Sequence, residues 1–256
     1  MEIHPEPEWE SLYGELARNR GVALIMGMTD TGKSTLLRHL VRRFITEGTD
    51  VSLVDSDIGQ SSLGLPGTVS MKVFHDEKDY NEFRFERMSF LGTANPAFMM
   101  SGLIETTQRM AKLCRKRSEI TLIDTTGLVS GDIGKALKTG KIRAIKPDWV
   151  IALQKGDELE HVLSGMDDFR IIRIRSSPEV KARSMTERFR YRNRKLEDYF
   201  SGPASSEFTL NMNELRFIYY SKPFDPKEED LKEGMIFSVG YHDARILYIP
   251  KNTYPG

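Results

Sequence analysis

One short segment constrains this chain more than any other: GMTDTGKS, residues 27–34, fits the pattern G-x-x-x-x-G-K-[ST]. It lies between an apolar segment, 21–27, that indicates a buried strand, and a segment, 33–47, whose leucines recur at helical spacing. A glycine-rich loop between a strand and a helix presents backbone N–H groups to phosphate oxygens. The sequence therefore predicts a P-loop nucleotide-binding site.

Each position of this loop has an expected role. Glycines allow the backbone to approach the phosphates closely, Lys33 would reach the β- and γ-phosphates, and Ser34 would bind magnesium. The residues predicted to bind the nucleotide are those of the loop and its exit: Gly27, Thr29, Asp30, Thr31, Gly32, Lys33, Ser34 and Thr35.

Acidic residues end the second predicted strand, 50–57, in the segment DSDIGQ. The carboxyl ends of parallel strands form the ligand crevice of such sheets, so Asp55 and Asp57 would face it. One carboxylate would hold magnesium through water while the other accepts a proton from a nucleophile. The alternative is a polar turn between strand and loop, since Asp and Gly both favour turns.

A third acid, Asp124, ends the buried segment of IDTTG, residues 123–127. Asp124 would be the acid that orients magnesium-bound water. Thr125, Thr126 and the Gly127 N–H would contact the γ-phosphate. The same D-x-x-G spacing occurs in the γ-phosphate sensor of GTPases, so it does not separate a hydrolase from a kinase.

A strongly basic segment, 178–200, is predicted to form one long helix that carries Lys181, Arg183, Arg188, Arg190, Arg192, Arg194 and Lys195. A run of charge most often forms a solvated helix face. P-loop kinases, however, often close an arginine-bearing lid over the transferring phosphate, and both interpretations stay open.

The order of predicted elements indicates the α/β class, with a mostly parallel sheet flanked by helices. We expect a short helical extension over 1–20, a P-loop domain over 21–200, a linker at 201–206 and a small β domain over 207–256.

Lysine plus arginine equals aspartate plus glutamate at 37 each, which gives no support for a globally basic, nucleic-acid-binding surface. The single cysteine fits a reducing, cytoplasmic compartment, and no apolar run approaches the length of a membrane span.

With these motifs in order, the chain resembles the polynucleotide 5′-hydroxyl kinase family. This family includes the RNA kinase of the eukaryotic pre-mRNA cleavage complex, the pre-rRNA-processing kinase and archaeal relatives. The matching segments are the P-loop, DSDIGQSSLGLPGTVS (55–70), FLGTANP (90–96), IDTTGLVSG (123–131), IALQ followed by DELEHVL, and RSMTERFRYRNRKLEDYF (183–200).

The resemblance implies a kinase domain over 21–200 and roles for particular residues. Asp57 and Gln60 match a D-x-x-Q pair in which Asp57 takes the proton from the 5′-hydroxyl. Residues 125–128 match the clasp that grips the phosphate-binding helix and Lys33, and Arg183, Arg188 and Arg192 match recurrent positions of the lid. The implied cofactors are ATP or GTP with Mg²⁺, and the implied partner is RNA or DNA with a 5′-hydroxyl end, in RNA processing.

Two departures from the family pattern affect these expectations. The clasp usually reads T-P-G-W, whereas here Leu128 replaces the tryptophan. Only about 20 residues precede the first predicted strand, without the N-terminal β domain that eukaryotic members use to bind the base. We therefore expect modest discrimination between ATP and GTP.

Three functions are compatible with the sequence. The first is a polynucleotide 5′-hydroxyl kinase. The second is a regulatory GTPase or ATPase switch, supported by the D-x-x-G spacing and by Gln154-Lys155-Gly156-Asp157, which loosely resembles the guanine-reading N-K-x-D. The third is a degenerate binding scaffold, which the intact set of Lys33, Ser34 and three aspartates argues against.

Overall fold

The computed structural model describes residues 5–201, 217–219, 222–225, 237–239 and 245–247. The chain divides into two compact units, Met1–Arg192 and Asn193–Gly256. Most of the predicted linker, 202–206, lies outside the described residues, and the predicted division into three segments stays a prediction.

A seven-stranded sheet forms the centre of the first unit, with the strand order β4-β3-β2-β5-β1-β6-β7. Five neighbouring strands run parallel, and β3 and β4 pair antiparallel at one edge. The predicted α/β class with a mostly parallel sheet is confirmed. The strands are β1 Gly21–Met26, β2 Val51–Ser56, β3 Thr68–Phe74, β4 Arg87–Phe90, β5 Ile120–Thr125, β6 Trp149–Gln154 and β7 Ile171–Arg175.

Helices cover both faces of this sheet, and none of those described is long and apolar enough to span a membrane. On β1, Val22 and Leu24 alternate with Ala23 and Ile25, so each face receives every second side chain. One face packs against α4 and α5, the other against α1 and α2. The helices are α1 Pro7–Asn19, α2 Lys33–Thr46, α3 Glu77–Asn81, α4 Met100–Cys114, α5 Gly131–Ile145, α6 Glu160–Leu163 and α7 Met185–Phe200.

The predicted basic helix starts later than expected, which corrects its predicted boundary of 178. Helix α7 begins at Met185 because Ser184 and Glu187 form a capping box. The Ser184 hydroxyl accepts a hydrogen bond from the Glu187 N–H, and the Glu187 carboxylate accepts one from the Ser184 N–H. Residues 178–184 therefore form a non-helical approach to the helix.

Strand β3 was absent from the sequence-based prediction. Its segment, TVSMKVF, is buried along its whole length. Val69, Met71 and Val73 pack in the core, while Lys72 on the opposite face donates hydrogen bonds to the Asp79 and Glu82 carbonyls. A strand that carries a lysine and two hydroxyls on one face has no continuous apolar run to indicate its burial.

The second unit, Asn193–Gly256, contains the C-terminal half of α7 and two short antiparallel hairpins. Strands β8 Phe217–Tyr219 and β9 Lys222–Phe224 form one, and β10 Phe237–Val239 and β11 Arg245–Leu247 form the other. The remaining residues of the predicted C-terminal β unit lie outside the described ranges.

Candidate active site

The P-loop joins β1 to α2, and its glycines have a steric basis. A side chain at Gly27 would lie 2.6 Å from the Thr31 hydroxyl oxygen and even closer to the Leu153 carbonyl oxygen. Gly32 has a φ of +93°, in the left-handed region that favours glycine. The Thr31 hydroxyl closes the loop with a 2.9 Å hydrogen bond to the Met28 carbonyl.

Lys33 is the first residue of α2, and its side chain folds back over the loop. Its ammonium donates a 2.7 Å hydrogen bond to the Met28 carbonyl, and the residue is only 6% exposed. The first turn of α2 continues through Ser34, and the Thr35 N–H bonds to the Gly32 carbonyl. The loop thus holds one buried ammonium at its centre, where a phosphate chain would need a positive charge.

Ser34 and Asp124 form the next layer of the site. The Ser34 hydroxyl donates a 3.1 Å hydrogen bond to Asp124 Oδ2, while Asp124 Oδ1 is buried without a hydrogen-bond partner among the described residues. Burial, and secondly the nearby Asp55 carboxylate, raise the pKa of Asp124 to about 7. A buried carboxylate with an unused oxygen is an unsatisfied group that a cation or water would satisfy.

Asp55 is completely buried and organises the loop after β2. Its Oδ2 accepts hydrogen bonds from the Ser61 hydroxyl and from the N–H groups of Ser62 and Leu63, at 2.7–2.9 Å. Its Oδ1 accepts one from the Asp57 N–H at 3.1 Å. Both oxygens of the predicted magnesium ligand Asp55 are therefore engaged in shaping the loop, which favours an anchoring role.

Asp57, the predicted base, is half-buried and uses a single oxygen in its own turn. Its Oδ1 accepts the N–H groups of Gly59 and Gln60, both at 3.1 Å, and Oδ2 makes no hydrogen bond with a described residue. Gln60 donates from its side chain to the Gly59 carbonyl, and its buried Oε1 has no described partner. The turn thus fixes Asp57 while leaving one carboxylate oxygen available.

The four clasp residues at the end of β5 have different environments. Thr125 is fully buried, with its hydroxyl bonded to the Ile25 carbonyl at 2.8 Å. The buried Thr126 hydroxyl has no described partner. A side chain at Gly127 would lie 2.6 Å from the Thr29 nitrogen, so the clasp contacts the P-loop here. Leu128, at the position of the family's tryptophan, packs against the core.

Two lysines on α5, absent from the predicted site, lie beneath these strand ends. Lys138 donates to the Thr125 hydroxyl at 2.7 Å, and Lys141 donates to the Ser56 hydroxyl at 2.6 Å. Both are fully buried, and burial lowers the pKa of each, that of Lys141 to about 7. Their sequence signal is a pair of lysines, three residues apart, on the same helix face as the buried residues Gly134 and Leu137.

The predicted lid arginines are placed differently from one another. Arg188 is largely buried and forms an ion pair with Asp30 of the P-loop. Arg183 is exposed, and its guanidinium lies 5.5 Å from the centre of the Tyr191 ring. Arg192 is half-buried and makes no hydrogen bond or ion pair with a described residue. Among the three, Arg188 therefore has a fixed position at the P-loop.

A cavity of about 350 Å³ lies at the ends of β6 and β7, lined by Glu8, residues 154–157 and residues 173–175. Its neighbour Ser176 donates a hydrogen bond to the Thr31 carbonyl, which places the cavity beside the P-loop. The Gln154 amide is engaged by Glu160 and by the Leu159 N–H. Both the nitrogen and the oxygen of the Gln154 side-chain amide are thus already hydrogen-bonded within the protein. This amide is not free to bind the edge of a nucleotide base.

The residues around Ser34 fit magnesium better than a tightly chelated transition metal. Within residues 5–201 and the short described strands, no group of three or more His, Cys, Asp or Glu side chains could hold a metal. Mg²⁺ in phosphoryl-transfer enzymes usually takes one or two protein oxygens, substrate phosphates and several waters. The Ser34 hydroxyl and the unpartnered Asp124 Oδ1 provide such a pair of oxygens.

Comparison with known proteins gives relatives that share this site region. A polyribonucleotide 5′-hydroxyl-kinase from Pyrococcus horikoshii is 35% identical over 231 residues, covering 87% of this chain and 62% of the relative. Another from Methanocaldococcus jannaschii is 32% identical, covering 82% of this chain and 58% of the relative. The chain thus spans about three fifths of the length of these relatives.

A more distant relative and a solved structure are also similar to this chain. The polyribonucleotide 5′-hydroxyl-kinase Clp1 of Danio rerio is 27% identical, covering 85% of this chain and 52% of the relative. In the solved wild-type Clp1p–Pcf11p complex, one chain superimposes with a TM-score of 0.62 at 14% identity, covering 82% of this chain and 57% of that one. This last likeness concerns the fold alone.

The family comparison covers the whole of the site. Residues 27–202 match the family described as mRNA cleavage and polyadenylation factor CLP1 P-loop. The matched range begins at Gly27, contains all the site residues above and extends through α7. The chain belongs to the mRNA cleavage and polyadenylation factor CLP1 P-loop family.

Proposed function

We propose that this chain transfers the γ-phosphoryl group of a nucleoside triphosphate, ATP or GTP, to the 5′-hydroxyl of RNA or DNA. The observation that carries the proposal is the Asp57 turn, which leaves one carboxylate oxygen available beside the P-loop. Asp55 and Asp124 are register partners on β2 and β5, so Asp57 follows a strand end that adjoins the Ser34–Asp124 pair. The names of the archaeal relatives support the same activity and favour RNA over DNA.

The nucleotide phosphates would be bound by the P-loop N–H groups and by Lys33. In phosphoryl transfer the protein supplies mainly position and positive charge, because the transition state spreads negative charge over the phosphoryl oxygens. Ser34 and Asp124 would hold Mg²⁺, which neutralises part of that charge when it is bound. The hydroxyl of Thr126 and the amide oxygen of Gln60 are both buried without a partner in the described part of the chain, so they are further groups that substrate or water would satisfy.

Asp57 would act as the general base. As the 5′-oxygen forms its bond to the γ-phosphorus, its proton passes to the Asp57 carboxylate, and the bond from phosphorus to the β–γ bridging oxygen breaks. The nucleoside diphosphate leaves with the electron pair of that bond. A positioned base of this kind contributes about 10² to 10⁴ in rate.

Asp55 has a different role in this proposal from the magnesium ligand expected from sequence. Because its two oxygens accept hydrogen bonds from residues 57, 61, 62 and 63, it holds the loop that carries Asp57. We assign magnesium to Ser34 and Asp124, and loop architecture to Asp55.

Arg188 is the arginine best placed to stabilise the transferring phosphoryl group, because it contacts the P-loop residue Asp30. An arginine in this role is worth about 10³ to 10⁵ in rate. Arg183 and Arg192 stay candidates on the same lid.

The single cysteine among the described residues, Cys114, is buried and free, which supports a reducing, cytoplasmic compartment.

The regulatory switch is the alternative that the sequence leaves open, and the comparisons do not favour it. The two functions differ in the fate of the phosphoryl group. Labelled nucleotide is incubated with oligonucleotides that end in a 5′-hydroxyl or a 5′-phosphate, and free phosphate and oligonucleotide label are both counted. A kinase labels only the 5′-hydroxyl form. A switch releases free phosphate at a rate that neither oligonucleotide changes.

A further inference from the structure

The segment before α7 crosses the P-loop at successive points. The Ser176 hydroxyl donates a 2.9 Å hydrogen bond to the Thr31 carbonyl. A side chain at Gly32 would lie 3.2 Å from Val180 Cγ2, so Val180 lies directly against that glycine. Residues 176–192, which we call the lid segment, therefore follow the P-loop rather than extending away from it.

Asp30 of the P-loop contacts two residues of the lid segment, Arg183 and Arg188. Its Oδ2 accepts a 3.2 Å hydrogen bond from the Arg183 N–H and also pairs with the Arg188 guanidinium. Arg188 Nε in turn donates to the Arg183 carbonyl at 3.1 Å. The Asp30 and Arg188 side chains are only 18% and 14% exposed, so solvent screens this pair much less than an open surface pair.

The backbone at Asp30 is also unusual. Its φ is +56°, a left-handed conformation that few residues other than glycine adopt, although Asp and Asn tolerate it best. Its position in the loop pattern predicts that Asp30 binds the nucleotide. An anionic side chain is a poor phosphate ligand, whereas it is well suited to hold an arginine.

We infer that Asp30 is a positioning residue: it docks the lid segment onto the P-loop and holds Arg188 ready for the transferring phosphoryl group. A guanidinium has five N–H donors, and the contacts to Asp30 and to the Arg183 carbonyl use two of them; the other three pair with no described residue and could bind an anion. Arg188 is thereby held in position while it keeps donors that could bind the phosphoryl group. This inference rests on the proposed function for the role of Arg188, but the docking itself does not.

A second contact extends the docked lid segment to the acceptor loop. The Tyr191 hydroxyl donates a 2.9 Å hydrogen bond to the Ser61 carbonyl, and the Ser61 hydroxyl donates to Asp55. The lid segment therefore contacts both the loop that would bind the phosphates and the loop that carries Asp57. Holding Arg188 at Asp30 fixes its position relative to both.

Limited trypsin digestion of the full chain without nucleotide tests the docking, because the lid segment contains several arginines. Asp30→Asn keeps the shape and the tolerance for left-handed φ, and removes the charge. We expect the lid segment of this variant to be cleaved at least several-fold faster than that of the wild type. Asp198→Asn is the control and should leave cleavage of the lid segment unchanged, since Asp198 pairs with Arg194 on its own helix and with no other residue that the structure describes.

A double-mutant cycle separates docking from a general loss of stability. Arg188→Gln removes the charge that pairs with Asp30 and should release the lid segment, whereas adding Asp30→Asn to it should increase cleavage little further, because the pair is already broken. Cleavage is compared at the lid arginines other than position 188, which all four proteins share. Effects of the two substitutions that add fully in the double variant would overturn the inference.

The kinetic consequence tests the positioning role. Asp30→Asn should lower kcat by up to about 10²-fold, the effect expected when a catalytic group is displaced by about 1 Å, with the nucleotide KM little changed. The double variant should transfer no faster than Arg188→Gln alone, because both lack the lid arginine. If the lid segment loosens in Asp30→Asn but neither the wild type nor any variant transfers phosphate, the inferred docking is supported and the proposed kinase activity is contradicted. Normal lid protection or normal kcat in a folded Asp30→Asn protein overturns the inference.

Discussion

Ser34 and Asp124 are 90 residues apart in sequence, yet the serine hydroxyl donates a 3.1 Å hydrogen bond to the aspartate carboxylate. The contact arises because β1 and β5 are parallel neighbours, with Ile25 in register with Asp124. The strand that ends in the P-loop and the strand that ends in the acid therefore reach the same edge of the sheet. That relationship makes the two residues a candidate magnesium site.

Asp124→Asn should weaken magnesium binding. The amide cannot supply a negative oxygen to the cation, so we expect the Mg²⁺ concentration for half-maximal transfer to rise at least about tenfold, by analogy with losses at metal sites. Magnesium titrations of single-turnover rates measure this. If Asp57→Asn shifts the titration and Asp124→Asn does not, the roles of the two carboxylates are reversed.

Asp57→Asn should slow the chemical step and leave binding nearly unchanged. The asparagine carbonyl can still accept the Gly59 and Gln60 N–H groups, so the turn is preserved, but it cannot take a proton. We expect single-turnover transfer to fall by about 10² to 10⁴, with nucleotide affinity close to that of the wild type. A wild-type rate for this variant would rule out Asp57 as the general base.

Lys33→Ala should abolish transfer in a folded protein. The ammonium is held by the Met28 carbonyl within the loop and would neutralise phosphate charge in the transition state. Circular dichroism and thermal unfolding check the fold, and Lys112→Ala, an exposed lysine on α4, serves as the matched control. Normal turnover in folded Lys33→Ala protein would argue against P-loop catalysis.

Lys141 should make the stability depend on pH. Burial lowers its pKa to about 7 from the ordinary 10.5, against the opposing attraction of Asp57, Asp124 and Asp55. Between pH 7 and 10.5 the unfolded chain holds this proton and the folded chain does not, so this residue's contribution to stability rises with pH. Below pH 7 both states hold the proton, and the contribution stays at its least favourable value.

Lys141→Met removes the titrating group and keeps a long side chain. Urea unfolding at pH 7, 8 and 9 should show the wild type gaining up to about 1.4 kcal/mol per pH unit relative to the variant. Parallel stability curves for the two proteins would show that Lys141 keeps an ordinary pKa in the folded state.

The sequence was most informative where geometry is local. The P-loop pattern, the strand ends at Asp57 and Asp124 and the alternation of strands with helices all follow from short-range chemistry, and the fold class is confirmed. The capping box at Ser184 and Glu187 is equally local, and it would have given the start of α7. The predicted boundary at 178 is wrong because this capping box, and not the first basic residues, sets the start of the helix.

Other features depend on partners that are distant in sequence. The engagement of Asp55 is an exception, because residues 57, 61, 62 and 63 are near it in sequence; it depends instead on the folded course of their loop. Burial of Lys138 and Lys141 depends on the acids and hydroxyls at the ends of β2 and β5. The Asp30–Arg188 pair joins residues 158 positions apart. Sequence spacing cannot reveal such pairs without knowledge of which strand ends meet.

The measurement that tests the central claim most directly is transfer of γ-phosphoryl label to a 5′-hydroxyl oligonucleotide, followed by digestion to locate the label. RNA and DNA oligonucleotides are compared in parallel, and we predict label on the 5′-terminal nucleotide only. We predict no label when the oligonucleotide is already 5′-phosphorylated or when the Lys33→Ala variant is used. Release of the label as free phosphate, without any transfer to either nucleic acid, would contradict the account.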